Sequence, residues 1–447
     1  MPCPHSHETS SGADDSDGQL SRRQMIRAAV AIGGTSGLSA CVNRESTDHS
    51  DGTATAADQQ YSAGPDDLGT LPERQHAWVD YLVRDRFGNT VLPQHQTILM
   101  LNYTGPDSPD DTDREQVETA FQTIERAFQR GTGGDTSAVQ HEGILFAIGY
   151  APAYFDRFDA DLPESIDLPN PETLLSELNE TEVSADSHDA VIHLAGGYGS
   201  VVLAAERALF GDLDSVNGTP VDGSLSEHFE INERRTGFIG RGQPAQKYGE
   251  DEIPENSPLS MGFKSGFADN LPSEDDVTIQ EGPFAGGTTM QVSRLEHDLA
   301  SWYDHGHQER TKRMFSPAHD TEDVGDVGED LASFSGVIES VVEHTEAHAE
   351  DGVVGHGQKI AHARDEDFRQ RILRRDFNIT DEEGMHFDSW QRGIGDFLAV
   401  RKAMNGDHVD TDVDAESNGI LDFIDVTNRA TFLMPPRSLR ALPAPQP

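Results

Sequence analysis

Cysteine is almost missing from this chain of 447 residues, and the two that occur, Cys3 and Cys41, both lie near the N-terminus. Disulfides and thiolate ligands for a metal are therefore excluded for everything after residue 41. Hydrophobic residues make up 35% of the chain, which is low but sufficient for packed domains of mixed α and β structure. The folded body must therefore be held by packing and polar contacts alone.

Positive charge is also scarce. The chain has 33 Lys and Arg against 80 Asp and Glu, which gives a net charge of −47. Charge of one sign on this scale repels nucleic-acid phosphates, so nucleic acid is excluded as a partner. The acidic residues are spread along the whole chain, as is typical of a protein that works in molar salt, where the Debye length is only about 3 Å. We therefore expect a halophilic protein.

The longest apolar stretch, residues 28–40, has 13 residues and is too short to span a bilayer as a helix. Arg22 and Arg23 precede it, and Leu38-Ser39-Ala40-Cys41 ends it. Twin arginines before such a stretch indicate a Tat export signal at 1–41, and the final box resembles the lipidation site of a lipoprotein. We expect an exported protein, anchored at the cell surface through lipidated Cys41. Residues 42–70, rich in Ser, Thr, Asp and Gly, predict a flexible acidic tether.

The remaining length exceeds one ordinary core, which predicts two domains at 71–255 and 256–440. Short apolar runs predict strands at 97–103, 144–148 and 190–195, and apolar residues at helical spacing predict helices at 112–128 and 201–210. Thr112 and Glu115 suggest a capping box for the first helix. Later strands are predicted near 288–292, 385–387 and 430–433, with helices at 335–349 and 393–404, and 211–256 is expected to link the halves. The β-α-β-β-α order is that of a ferredoxin-like half.

The most specific pattern occupies residues 355–378, GHGQKIAHARDEDFRQRILRRDFN, in which His356 precedes Arg374 by eighteen positions. Five more segments share its order along the chain: GYAPAYF at 149–155, MGFKSGFADN at 261–270, EGPFAGG at 281–287, FDSWQR at 387–392 and FLMPP at 432–436. Taken together, the six resemble the motifs of the dye-decolorising (DyP-type) haem peroxidases. The resemblance covers residues 90–437 and depends on the six in order, not on any one of them.

This resemblance implies an α+β fold of two ferredoxin-like halves in a dimeric α–β barrel, with haem b in the second half. His356 would be the proximal iron ligand, and Arg374, or its neighbour Arg375, the distal cation that stabilises developing charge as peroxide is cleaved. Gly262, Gly266, Gly286 and Gly287 would let the backbone approach the flat macrocycle. The implied reaction is one-electron oxidation of an organic donor with hydrogen peroxide. The oligomeric state, a homo-oligomer included, stays open.

One departure weakens the expectation of turnover. The family's distal Asp is replaced by Ser265, which cannot act as a base near neutral pH. Asp269, four positions on, is the alternative carboxylate. Three other functions therefore stay open: haem binding without peroxidase turnover, non-haem metal binding at a surface, and a structural role without cofactor. The metal alternative depends on His344 and His348, which are spaced i, i+4, and on the loop residues His305 and His307.

Overall fold

The computed structural model describes residues 60–211, 213–249, 252–264, 271–328, 344–409 and 417–447. Eight strands form its centre: β1 (His95–Tyr103), β2 (Ile144–Tyr150), β3 (Ala190–Gly196), β4 (Phe229–Phe238), β5 (Thr288–His297), β6 (two pieces, Leu373–Arg374 and Phe377–Ile379), β7 (Gly384–Gln391) and β8 (Ile424–Met434). Four helices matter most: α1 (Asp111–Ala127), α2 (Gly199–Leu209), α3 (His356–Ala361) and α4 (Ile394–Asn405). Shorter helices are Pro152–Phe155, Pro171–Glu177, Pro244–Tyr248, Leu299–Asp304, His307–Met314, Thr321–Val324 and Thr345–Glu350.

The two halves of the barrel have the same strand order. In the first half the neighbours run β4-β1-β3-β2, and in the second half β8-β5-β7-β6, with every neighbouring pair antiparallel. The first strand of each half thus lies between the fourth and the third, which is the ferredoxin-like arrangement. β2 also pairs with β8, and β4 with β6, so the two sheets close into one ring. The predicted α+β fold of two ferredoxin-like halves is therefore confirmed.

Two narrow seams close the ring. At one seam Leu433 of β8 pairs with Tyr150 of β2, and at the other β4 pairs with Asn378 and Ile379 of β6. A glycine lies at each seam. A Cβ on Gly237 would stand 2.1 Å from the Asn378 carbonyl oxygen, and one on Gly149 would stand 3.0 Å from Cβ of Phe432. The absence of a side chain at these positions is what lets the two halves come together.

Alternating side chains fill the barrel. Leu145 and Ala147 of β2 point inward and pack with residues of both halves, among them Trp78, Met290, Trp390 and Phe432. An eight-stranded barrel is just wide enough for side chains to fill, so this interior is a core and not a channel.

The outer face of the first half is covered by helices. Phe146 and Ile148, which alternate with the inward residues of β2, pack against α1 and α2 in one apolar cluster. α1 is capped by Asp110, which accepts the N–H of Asp113 at 3.0 Å, so the predicted box at Thr112 and Glu115 was wrong by two residues. Residues 60–70, predicted as tether, already contact the body: the Tyr61 hydroxyl lies 2.6 Å from Oγ of Ser200.

Two further predictions need correction or fall outside the described residues. The expected linker at 211–256 contains β4, a strand of ten residues. Of the helix predicted at 335–349, the structure describes Thr345–Glu350, and residues 329–343 lie outside the described part. Two-residue strands occur at Val83–Arg84, Thr90–Val91, Ser184–Ala185, Ser215–Val216 and Thr219–Pro220. Within the described residues no helix is long and apolar enough to cross a membrane.

Candidate functional site

A cavity of about 880 Å³ lies against the outer face of β6. Most of the described residues that line it fall in four segments: 84–92, which contains a small hairpin, 255–264, 271–276 and 364–376. Val79, Ile239, Gly240 and Val327 complete the lining. Its size is within the range of small-molecule and cofactor pockets, about 300–1,000 Å³.

β6 supplies two charged side chains to this cavity. The two pieces of β6 pair with β7 in one continuous register, Leu373 with Trp390 and Phe377 with His386, so side chains alternate along the whole strand. Leu373 and Phe377 belong to the core inside the barrel. Arg374 and Asp376 therefore point outward into the cavity, with Nη1 of Arg374 3.5 Å from Oδ2 of Asp376.

Arg375, the alternate candidate for the distal cation, points the other way. Its guanidinium lies 5.1 Å from the ring centres of Trp78 and Trp390 and donates to Oε1 of Glu274 at 2.9 Å. Its side chain is 2% exposed. The structure thus separates the two arginines: the Arg375 guanidinium packs on the tryptophans of the barrel core at the inner wall of the cavity, whereas Arg374 lies with Asp376 on the outer face of β6.

His356 begins α3 and is buried. The preceding Gly355 is required there, since a Cβ on it would stand 2.1 Å from the carbonyl oxygen of Phe315. Burial, with smaller effects of the nearby cations Lys359, Arg374 and Arg401, lowers the pKa of His356 to about 3. The imidazole is therefore neutral at physiological pH, the state in which it can bind iron.

The second ring nitrogen of His356 has no carboxylate beside it in the described part of the chain. Its Nδ1 is buried, and the structure gives it no hydrogen-bond partner among those residues. Lys359, the nearest cation along the helix, is itself buried and donates to the carbonyl oxygen of Asn418 at 2.9 Å. Burial lowers the pKa of this lysine to about 7. The charged groups near the imidazole in the described part of the chain are therefore cations.

His356 lies on a second, smaller cavity of about 30 Å³, lined mainly by apolar residues of α3, α4 and β7. Arg364, Gln370 and Arg374 line both this cavity and the large one. These three polar side chains therefore stand between the imidazole and the larger space. The sequence prediction placed His356 and Arg374 at one site, and the structure brings them to one small cavity.

Asp376 was missed by the sequence reasoning. Burial, with a smaller effect of the Asp388 carboxylate, raises its pKa to about 7, although the Arg374 cation and the Asp388 N–H lower it. Oδ1 of Asp376 accepts the backbone N–H of Asp388 at 3.1 Å. A carboxyl group that titrates near neutral pH in a cavity is typical of a functional site. The sequence feature that could have indicated Asp376 is its position two residues after Arg374. In a strand, residues two apart lie on the same face, so both side chains face the cavity.

The other predicted residues are placed as follows. Gly286 and Gly287 lie against Pro436 and the carbonyl oxygen of Met434, in a turn before β5, and line neither described cavity. Gly262 has a φ of +88°, and a Cβ on it would stand 3.1 Å from the Tyr303 hydroxyl. Ser265, Gly266 and Asp269 lie outside the described residues.

The histidine cluster does not assemble. The rings of His344 and His348 are 6.5 Å apart, whereas His305 packs on Phe423 and His307 on Phe263. In the described ranges no group of three or more His, Cys, Asp or Glu side chains could hold a metal ion.

Comparison with known proteins gives a family and a fold. The model of DUF7405, a family of unknown function, matches residues 93–436, and the chain belongs to that family. No curated protein matches it. A Rhodococcus jostii RHA1 DypB variant in complex with heme shares 14% identity over 83% of this chain and 99% of its own, with a TM-score of 0.51. The encapsulated DyP-type peroxidase from Mycobacterium smegmatis shares 16% over 82% and 100%, with 0.49. The fold is thus the α+β barrel of the DyP-type peroxidases.

Proposed function

We propose that this chain binds haem b in the cavity on the outer face of β6, with His356 as the axial ligand, and that it uses hydrogen peroxide to oxidise an organic donor. The observation that carries the proposal is the placement of His356: a buried, neutral imidazole on a cavity that it shares with Arg374. The large cavity offers the volume, and Arg364 and Gln370 must turn aside for a bound group to reach the imidazole. Haem, when bound, supplies the electrons that break the O–O bond.

The chain's own residues would divide the work. His356 would hold the cofactor through its neutral ring. Arg374 would hold peroxide in the cavity and stabilise negative charge on the separating oxygens, because a fixed cation in a buried site acts without reorganisation. Leu373 and Phe377 would fix the strand that positions Arg374, since both are anchored in the barrel core.

The test compares two histidine variants. His356→Ala and His297→Ala each remove a buried imidazole whose pKa burial lowers, to about 3 and about 4, and His297 lines neither described cavity. After titration with hemin, we expect a Soret band in wild type and in His297→Ala and none in His356→Ala. Circular dichroism of all three checks the fold. A full haem complement in His356→Ala would rule out this ligand.

Haem binding without peroxidase turnover is the second candidate, and Ser265 favours it, because the related peroxidases have a carboxylate at that position. A peroxide-driven dye assay on the haem-loaded protein separates the two. Dye oxidation well above that of free hemin supports the peroxidase, and a rate no higher than free hemin leaves a haem-binding protein.

We also propose export by the Tat pathway and anchoring through Cys41, on the order of Arg22, Arg23, apolar stretch and Cys box in the sequence. Changing both arginines to Lys should leave the protein in the cytoplasm. Cys41→Ser should release it from the membrane fraction. Fractionation unchanged in both variants would contradict the proposal.

A further inference from the structure

Asp376 is the described carboxylate that meets Arg374 in the cavity. The two side chains leave the same face of β6, two residues apart, with Oδ2 3.5 Å from Nη1. Oδ1 is fixed by the N–H of Asp388 at 3.1 Å, so the carboxylate is oriented by the neighbouring strand and not by solvent. Its side chain is 6% exposed. A carboxylate placed this way is built into the cavity wall.

We infer that Asp376 is the residue that takes a proton from hydrogen peroxide in this cavity and returns it to the departing oxygen. The inference rests on the proposed peroxidase function. In the related peroxidases this proton transfer is the role of the Asp at the position of Ser265. Here Asp376 of β6 would have that role. The site would then keep a carboxylate for proton transfer even though Ser265 replaces the family's Asp.

One residue, Asp376, both accepts and returns the proton that is transferred. The proton on the peroxide oxygen nearer the cofactor passes to Oδ2 of Asp376. When the O–O bond breaks, the same proton passes to the far oxygen, which already carries the other hydrogen and leaves as water. Haem, when bound, would supply the electrons for breaking the O–O bond. Asp376 ends ionised, as it began.

The surroundings keep this carboxyl group able to do both steps. Burial raises its pKa to about 7, the Arg374 cation and the Asp388 N–H lower it, and the Asp388 carboxylate on β7 raises it. An acid–base group acts best when its pKa is near the working pH. The other charged side chains that line the cavity are Arg84, Asp85, Glu255, Lys264, Asp276, Arg364, Asp367, Arg369 and Arg375.

The experiment uses the full chain and three variants. Asp376→Asn keeps the shape of the side chain and removes the titration. Asp111→Asn is the control, since it removes a carboxylate on α1 that is fully exposed to solvent and lines neither described cavity. Ser265→Asp in the Asp376→Asn background restores the family's carboxylate. The first readout is the infrared carboxyl band of the haem-free protein against pH, and the second is stopped-flow reaction of the haem-loaded protein with peroxide.

We expect the wild type and Asp111→Asn to show a buried carboxyl group titrating near neutral pH, and Asp376→Asn to lack it. With equal Soret bands, the peroxide reaction of Asp376→Asn should be slower on the order of a hundredfold and largely regained by Ser265→Asp. Equal rates in wild type and Asp376→Asn would overturn the role of Asp376 and leave the haem function standing. A wild type that takes up no haem would overturn both.

Discussion

The two halves of this barrel share one strand order and differ in what covers them. On β2, the second strand of the first half, the outward side chains are Phe146 and Ile148, and they are sealed under α1 and α2. On β6, the second strand of the second half, the outward side chains are Arg374 and Asp376, and they line a cavity of about 880 Å³. The two sheets thus share one topology, and they differ in what lies outside one strand of each. Apolar helices cover β2, whereas a cavity with charged walls lies against β6.

Charge is handled differently as well. In the first half Glu125 of α1 is buried, and it accepts hydrogen bonds from Arg437 at 2.7 Å and from Arg440 at 2.6 Å. These bonds outweigh the effect of burial and hold the pKa of Glu125 at about 2. In the second half burial wins, and the pKa of Asp376 rises to about 7. One half keeps its buried carboxylate ionised, and the other leaves it able to exchange a proton.

The largest effect should follow from breaking the charge network of the first half. Glu125→Ala removes one of the two carboxylates that pair with the buried Arg440 and leaves only Glu118. This should lower the free energy of unfolding by about 3–5 kcal/mol. The exposed Glu115→Ala on the same helix should change it by less than about 0.5 kcal/mol. Denaturant unfolding in molar salt measures both. Because the folded pKa is depressed, the Glu125 contribution is present above its ordinary pKa of 4.5 and lost as pH falls through about 2.

Arg374→Leu tests the second half, where the expected loss is in rate. The reaction of the haem-loaded protein with peroxide should slow about a hundredfold, equal to about 3 kcal/mol of transition-state stabilisation. Arg369→Leu, at the same cavity but 57% exposed, is the control and should react like wild type. Stopped-flow absorbance gives both rates. If the Arg374 variant reacted as fast as wild type, the arginine would have no part in peroxide cleavage.

Asp376→Asn should raise stability, opposite in sign to Glu125→Ala. The folded pKa, about 7, lies above the ordinary value of 3.8, so the carboxyl group costs nothing below pH 3.8 and costs increasingly as pH rises through 7. At pH 8 the variant should be more stable by about 2 kcal/mol, within an upper limit of about 4 kcal/mol. At pH 4 the difference should nearly vanish. Denaturant midpoints at the two pH values check this, and a pH-independent difference would contradict it.

Salt should affect the two halves together. With a net charge of −47, screening between neighbouring carboxylates weakens below about 0.5 M salt, where the Debye length exceeds about 4 Å. The melting temperature should therefore rise between about 0.2 and 3 M KCl, in one transition because both halves share one barrel core. Two separate transitions would show that the halves unfold independently, and no rise would count against a halophilic origin.

The sequence predicted the elements whose pattern is apolar and local. β1, β2, β3, α1 and α2 all lie within a few residues of their predicted bounds. The strands are short, almost wholly buried apolar runs, and the buried residues of the helices recur with period 3.6. β4 was missed because four of its ten residues are charged and they interrupt any apolar run. Arg235 is buried there and is paired with Asp186 at 2.9 Å. From the sequence alone an arginine predicts an exposed position. Its burial becomes understandable only when the acidic residue that pairs with it, far away in the sequence, is known.

The candidate site was predicted in part for a similar reason. Arg374 could be distinguished from Arg375 only by the side of the strand that each occupies, which depends on pairing with β7. Asp376 could not be singled out among 80 acidic residues, since its burial is produced by the cavity and the neighbouring strand. Residues 265–270, which carry Ser265 and Asp269, lie outside the described part, so those two stay predictions.

Slow local opening of the backbone should affect different parts of the molecule at the two glycine seams. The long pairing of β1 with β4 spans nine residues of β1, whereas each seam joins its strands at one or two positions. Seam amides should therefore exchange with deuterium earlier than the sheet interior. Opening at Gly149 parts two apolar strands, but opening at Gly237 frees Asn378, two residues from Asp376. Breathing of that second seam is thus a motion of the cavity wall, and a ligand held there would slow deuterium uptake at one seam and not at the other.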